Sequence, residues 1–136
     1  MNFVQSKMKY LPTLLFLLFI SCDFDVSLKL KNNSDEKIAI EYQVMNIEDS
    51  ILDSKYCDKT KHDIIGKNGE KILRTQNKWE LCLKNHPEKI LRVFIINKDS
   101  LKKYGLCKIY SRQIFSKRFD LTYEDLEKMN WKIIYD

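Results

Sequence analysis

Motifs for catalysis and metal binding are what this 136-residue chain lacks. It has two histidines, His62 and His86, both in polar, loop-like surroundings, and no C-x-x-C or H-x-x-x-H spacing. That argues against the usual zinc frameworks, which need such ligand pairs close together. No G-x-S-x-G elbow is present, so a nucleophilic triad has no place to form. There are no internal repeats, low-complexity tracts or interdomain linkers. After the first 21 residues the longest apolar stretch is Val93–Ile96, strand-length and far short of the roughly 20 residues that span a bilayer. These absences leave an expectation of no enzymatic activity and no cofactor.

The amino-terminal region carries the strongest positive signal. Lys7 and Lys9 precede ten mostly apolar residues, Leu11–Ile20, and Ser21 then sits directly before Cys22. Cations hold the cytoplasmic side while the apolar run inserts, and the small residue admits a peptidase. Ile20-Ser21-Cys22 resembles the end of a bacterial lipobox; Phe19 stands where leucine is usual, with Leu18 one residue earlier. The expected organisation is a lipoprotein signal peptide at 1–21, a lipid-anchored leader at 22–25 and one domain at 26–136. Met1 and Met8 are alternative starts, since Met8-Lys9 would open a compact signal by itself, and either gives the same mature chain. The lipobox resemblance implies a diacylglyceryl thioether on Cys22 and a further acyl chain on its amine. Two or more chains hold a protein stably on a membrane. The partner so implied is membrane lipid, and the expected location is the bacterial outer membrane, facing the periplasm or the cell surface.

Removing residues 1–21 takes the formal charge from +5 to +3. The cations are spread along the chain beside acids such as Asp35-Glu36 and Glu124-Asp125, the pattern of a solvated surface and not of a nucleic-acid site. Of the four cysteines, Cys57, Cys82 and Cys107 remain once Cys22 is acylated. An oxidising compartment permits one disulfide. Cys57–Cys82 is the expected pair, since both flanks read as early sheet segments; three unpaired cysteines are the alternative. Cys107 beside Lys108 is a candidate for a lowered thiol pKa, against an ordinary half-buried cysteine.

Period-two alternation marks the strands. Val26, Leu28 and Leu30 alternate with polar residues, and so do Ile38, Ile40, Tyr42 and Val44; the turn-rich Asn32–Glu36 between them predicts a hairpin or neighbouring strands. Residues 46–68 read as a long loop with one short strand. "EKILRT" and "WELCL" read as two short strands, and Lys89–Asn97 as a strand central in a sheet. A helix over Leu101–Tyr104 is expected, capped by Asp99 or Ser100 and ended by Gly105. Ile109–Leu121 reads as a strand in its later half. Thr122 and Asp125 form a capping box for a helix over Tyr123–Met129, with Leu126 and Met129 pressing onto the sheet, and "WKIIYD" closes as a strand. The fold class is mainly β: a small Ig-like or related β-sandwich with two short helices near the C-terminus, with an α+β roll as the alternative.

Residues 91–136 include "LRVFIINKDSLKKYGL" and "KRFDLTYEDLEKMNWKIIYD". This pattern resembles a group of small uncharacterised lipoproteins of gut and oral Bacteroidota, whose C-terminal motif runs "KRYDLT-x-x-DL-x-x-LNW-x-I-x-Y". Phe119 and Met129 replace the expected Tyr and Leu, and Gly105-Leu106-Cys107 interrupts what the resemblance implies is a longer helix. The resemblance implies no reaction.

Other candidates are weighed on chemistry. Trp79 and Trp131 stack sugars if exposed and anchor the core if buried. Asp120, Glu124, Asp125 and Glu127 fail as a glycosidase pair, because adjacent helical residues point apart and Asp125 is committed to a cap. Asp49-Ser50-Ile51 and Asp99-Ser100-Leu101 resemble the Bacteroidota O-glycosylation acceptor; Ser50 is the better candidate and Ser100 reads as a helix cap. Asn32-Asn33-Ser34 matches the N-linked sequon and is discounted in a bacterial chain. The functional expectation is a lipid-anchored, non-enzymatic structural or binding module with a protein or glycan partner and no nucleic acid. An inhibitor or immunity-type lipoprotein acting on an envelope hydrolase, through a loop within 46–68, is the alternative.

Overall fold

Where apolar side chains alternate, strands form. The computed structural model describes residues 26–49 and 61–136, and in them runs β1 (Leu28–Asn32), β2 (Ile38–Asn46), β3 (Asp63–Ile65), β4 (Glu70–Leu73), β5 (Lys89–Asn97), β6 (Lys117–Leu121) and β7 (Lys132–Tyr135). Four short helices accompany them: α1 (Trp79–Leu83), α2 (Lys98–Tyr104), α3 (Leu106–Arg112) and α4 (Tyr123–Lys128). The strands make a three-stranded sheet ordered β4-β1-β7 and a four-stranded sheet ordered β3-β2-β5-β6. The larger sheet is antiparallel throughout, while β1 pairs antiparallel with β4 and parallel with β7.

The two sheets close on one core. Leu28, Leu30, Leu73 and Ile133 from the smaller sheet meet Ile38, Ile40, Ile65, Leu91, Val93, Ile95 and Leu121 from the larger. Each such side chain withdrawn from water contributes roughly 1.5–3 kcal/mol. The protein is thus a mainly-β sandwich with helices. Strand β5 is central, as its apolarity predicts. Its other face carries Phe94 and Ile96 into a second cluster with Ala39, Leu106, Ile109 and Tyr110, which seats α2 and α3 on the outside of the larger sheet. That gives three layers: sheet, sheet, helices.

Four expectations are corrected. First, β1 and β2 are not paired: the chain crosses between sheets at Asn32–Glu36. Asn32 is wholly buried there. Its side-chain amide donates to the carbonyls of Glu36 (2.8 Å) and Gly66 (3.0 Å), and its Oδ1 accepts from Ser34 N–H (3.1 Å) and hydroxyl (2.6 Å). Buried and bonded, it offers nothing for glycosylation. Second, "WELCL" is helix α1. Trp79 and Leu83 lie four apart, on one helical face, and both are buried, whereas Leu81, which a strand would bury with them, is 58% exposed. Third, α2 starts three residues early and is capped by Asn97, whose Oδ1 accepts from the N–H groups of Asp99 (2.8 Å) and Ser100 (3.2 Å). Asp99 and Ser100 therefore lie inside the first turn. Fourth, the helices number four among the described residues, not two. Leu106, Ile109 and Tyr110 fall at i, i+3 and i+4, and that stripe makes the segment before β6 a helix.

The C-terminal reading is realised. Thr122 N–H donates to Asp125 Oδ2 (3.0 Å) and Asp125 N–H to Thr122 Oγ1 (3.2 Å), closing the capping box. Leu126 is fully buried, and Met129 packs beside it.

Candidate functional site

Around the segment after β4 the chain builds a pinned loop with unused side chains. Tyr42, on β2, reaches across from the larger sheet: its hydroxyl donates to the carbonyl of Arg74 (3.0 Å) and accepts from Arg74 N–H (3.1 Å). At the far end of the loop Trp79 is 5% exposed and lies 6.5 Å from the Tyr42 ring. Trp79 is therefore a core anchor and not a stacking platform. Trp131 is half-buried against the same core, 5.6 Å edge-on from Tyr123.

Two clefts meet on this loop. One, of about 700 Å³, runs from Val26 and Ser27 past Ile72 to Leu81. The other, of about 610 Å³, is lined by Tyr42, Gln43, Val44 and Cys82. Both are lined by Arg74, Thr75, Gln76, Asn77 and Trp79. Thr75 Oγ1 lies 3.8 Å from Cys82 Sγ. The Arg74, Gln76 and Asn77 side chains are exposed and make no hydrogen bond or ion pair within the described residues. The sequence reads Arg74 at the end of the strand "EKILRT" and Gln76-Asn77 in the polar stretch after it; the cue to a site is their position between half-buried Tyr42 and buried Trp79, which only the fold supplies.

A second polar group lies on the outer face of the larger sheet. Arg92, 4% exposed amid apolar β5, donates from Nε to Asp120 Oδ1 (2.9 Å) and from Nη1 to the carbonyl of Asp49 (2.9 Å). Arg118 clasps the same carboxylate (3.0 and 2.6 Å). Partial burial pushes the Asp120 carboxyl up, and the hydrogen bonds and charges of Arg118 and Arg92 more than reverse this, leaving it below its ordinary range. Nearby, His62 Nδ1 lies 2.9 Å from Glu41 Oε1, with both side chains mostly buried. These are satisfied structural pairs, and a charge inside "ILRVFII" was the sequence cue to the first.

The sequence candidates do not converge. Asp120 is held by two arginines, Asp125 caps α4, and Glu124 and Glu127 are exposed. His86 pairs with Glu88 (3.1 Å) in an exposed turn. Among the described residues no three His, Cys, Asp or Glu side chains gather as a metal site, and no helix is long and apolar enough to cross a membrane. Cys82 is half-buried, and Cys107 is exposed instead of half-buried because it sits on the solvent side of α3. Cys22, Ser50 and Cys57 lie outside the described residues, as do the signal segment, the leader and residues 50–60 of the loop reserved for an inhibitory contact. No protein-family model, no curated protein and no solved structure matches the chain.

Proposed function

We propose that the protein is a lipid-anchored binding module of the bacterial envelope, tethered through acylated Cys22, whose ligand lodges on the Arg74–Asn77 loop. The observation that carries this reading is that loop itself. Its backbone is held by the Tyr42 hydroxyl and by buried Trp79, while Arg74, Gln76 and Asn77 present free donors and acceptors to two clefts. A rigid backbone with unspent polar side chains lowers the ordering cost of binding. The chemistry suits a hydrogen-bonding partner, a protein segment or a glycan. The anchor fits the same picture, because β1 is the first strand of the core and only three residues, Asp23–Asp25, separate Val26 from Cys22. That leader reaches at most roughly 14 Å, so the domain would sit beside the bilayer. Membership in the small Bacteroidota lipoprotein group is part of the same proposal.

Two measurements test it. Cys22→Ser should lose radiolabelled palmitate, and globomycin should make the precursor accumulate; no change in either removes the anchor. For the loop, the parent and the Arg74→Ala/Asn77→Ala variant are compared on an array of envelope glycans and peptides. A ligand bound by the parent and lost by a variant of unchanged unfolding midpoint supports the site. Ligands retained equally by both refute it.

A further inference from the structure

Helices α2 and α3 turn Leu101, Tyr104, Leu106, Ile109 and Tyr110 inward onto Ala39, Phe94 and Ile96. What is left outside is nearly all of one sign. Lys98, Lys102, Lys103, Lys108 and Arg112 are exposed against Asp99 alone. Among the described residues none of these five cations is in an ion pair; Lys103 Nζ rests 5.0 Å from the Tyr104 ring centroid. Next to the start of α2, Lys37 adds one more cation and Glu36, which bonds Asn97, one acid. Lys98 and Lys102 are four apart, and so are Lys108 and Arg112. Like charges one turn apart repel and destabilise a helix; Asp99, and the last-turn positions of Lys102, Lys103 and Arg112, offset this only in part. In the sequence the five helix cations, all within residues 98–112, read as ordinary solvation; the two helices place them together on one layer.

We propose that this layer docks an acidic envelope polysaccharide. A negatively charged chain laid along it would relieve the repulsion and release its own counterions. The exposed large apolar residues among those described are Ile47, Ile64, Ile72, Leu81 and Ile134, none of them on α2 or α3, so the layer lacks the apolar side chains that insert into lipid. Neither cleft is lined by residues of these helices, so an extended chain fits better than a small molecule. The aromatics Tyr104 and Tyr110 face inward, leaving no platform for stacking bases. The inference rests on the binding-module reading only for where the polymer is met.

The test uses the full chain in nonionic-detergent micelles, with polygalacturonate as the acidic probe and dextran as the neutral one. Affinity for polygalacturonate should fall by about tenfold or more between 50 and 200 mM salt, as expected for several released counterions. Lys102→Glu/Lys108→Glu should weaken binding about tenfold further, and Lys102→Gln/Lys108→Gln by less, since each loses ionic contacts without touching a buried group. Lys29→Glu/Lys132→Glu, on the opposite sheet, should bind like the parent. Equal binding of dextran, helix variants that bind like the parent, tighter binding of double-stranded RNA, or loss of the polysaccharide when phosphatidylglycerol is mixed into the micelles would each overturn the proposal. The N-terminal mass spectrum of the same preparation reports acylation of Cys22, so failure of the anchor and failure of the docking surface are read separately.

Discussion

Phe94→Ala should detach the helical layer before it unfolds the sandwich. Phe94 is 2% exposed. Its ring lies 5.2 Å from Tyr110, edge-on, and 4.6 Å from Phe115, and these three rings form the centre of the contact between β5 and the helices. Truncating a buried phenylalanine costs about 3–5 kcal/mol, the lost transfer energy plus the cavity. A domain of this size has roughly 5–15 kcal/mol in total, so one substitution removes a large fraction of it. The loss is not evenly shared, because Phe94 points away from the inter-sheet core that Val93 and Ile95 fill from the same strand. Urea denaturation followed by fluorescence should show the midpoint fall. Native-state hydrogen exchange should show amides of Leu106–Arg112 opening at much lower free energy than those of β2 and β5. Ile95→Ala, by contrast, should lower protection of both sheets together. A loss under about 1 kcal/mol for Phe94→Ala, outside the usual range for a buried ring, or uniform loss of protection, would refute the two-core reading.

Four further outcomes are expected. Gly105 joins α2 to α3 at φ 75° and ψ 159°, a region essentially reserved for glycine, so Gly105→Ala should cost about 1–3 kcal/mol in urea unfolding although a Cβ there meets open space. Asn32→Leu should cost at least about 2 kcal/mol, because it strips four hydrogen bonds from a buried crossing and strands their partners; a neutral result would mean that water replaces them. Hydrogen bonds from the Thr122 backbone and hydroxyl hold the Asp125 carboxyl below its ordinary range. A depressed folded pKa gives stability that is present above the unfolded value of about 3.9 and is lost as pH falls through the lower folded value. Urea midpoints between pH 6 and 2 should therefore drop at the acid end, less so in Asp125→Asn. Thr122→Ala should cost about 0.5–2 kcal/mol at neutral pH.

Local order was legible in particular residues. Alternation at Leu28 and Leu30 and at Ile38–Val44, and the near-continuous apolar character of Lys89–Asn97, named strands that exist. Thr122 and Asp125 named a cap that exists, because both partners lie within four residues. The errors came from runs too short to separate two periods. In "WELCL" the apolar residues satisfy period two at Trp79, Leu81 and Leu83 and period four at Trp79 and Leu83 alone; burial on one side chose the second. The turn at Asn32–Glu36 was legible as a turn, but a turn does not say whether its strands pair or part. The candidate site was hardly legible: Arg74, Gln76 and Asn77 become a site because Tyr42, 32 residues before Arg74, anchors their backbone.

The amino-acid order alone determined the strand and helix signals that neighbours along the chain can satisfy, together with the apolar run that ends at Cys22. The tertiary structure alone decided which sheet each strand joined, that Arg92 meets Asp120, and that α2 and α3 lie on the outer face of the larger sheet with their cations outward. The physical reason is range. Periodicity and caps act over a few residues, whereas sheet membership and the seating of the helices depend on contacts between segments far apart in the chain, made only once both cores close.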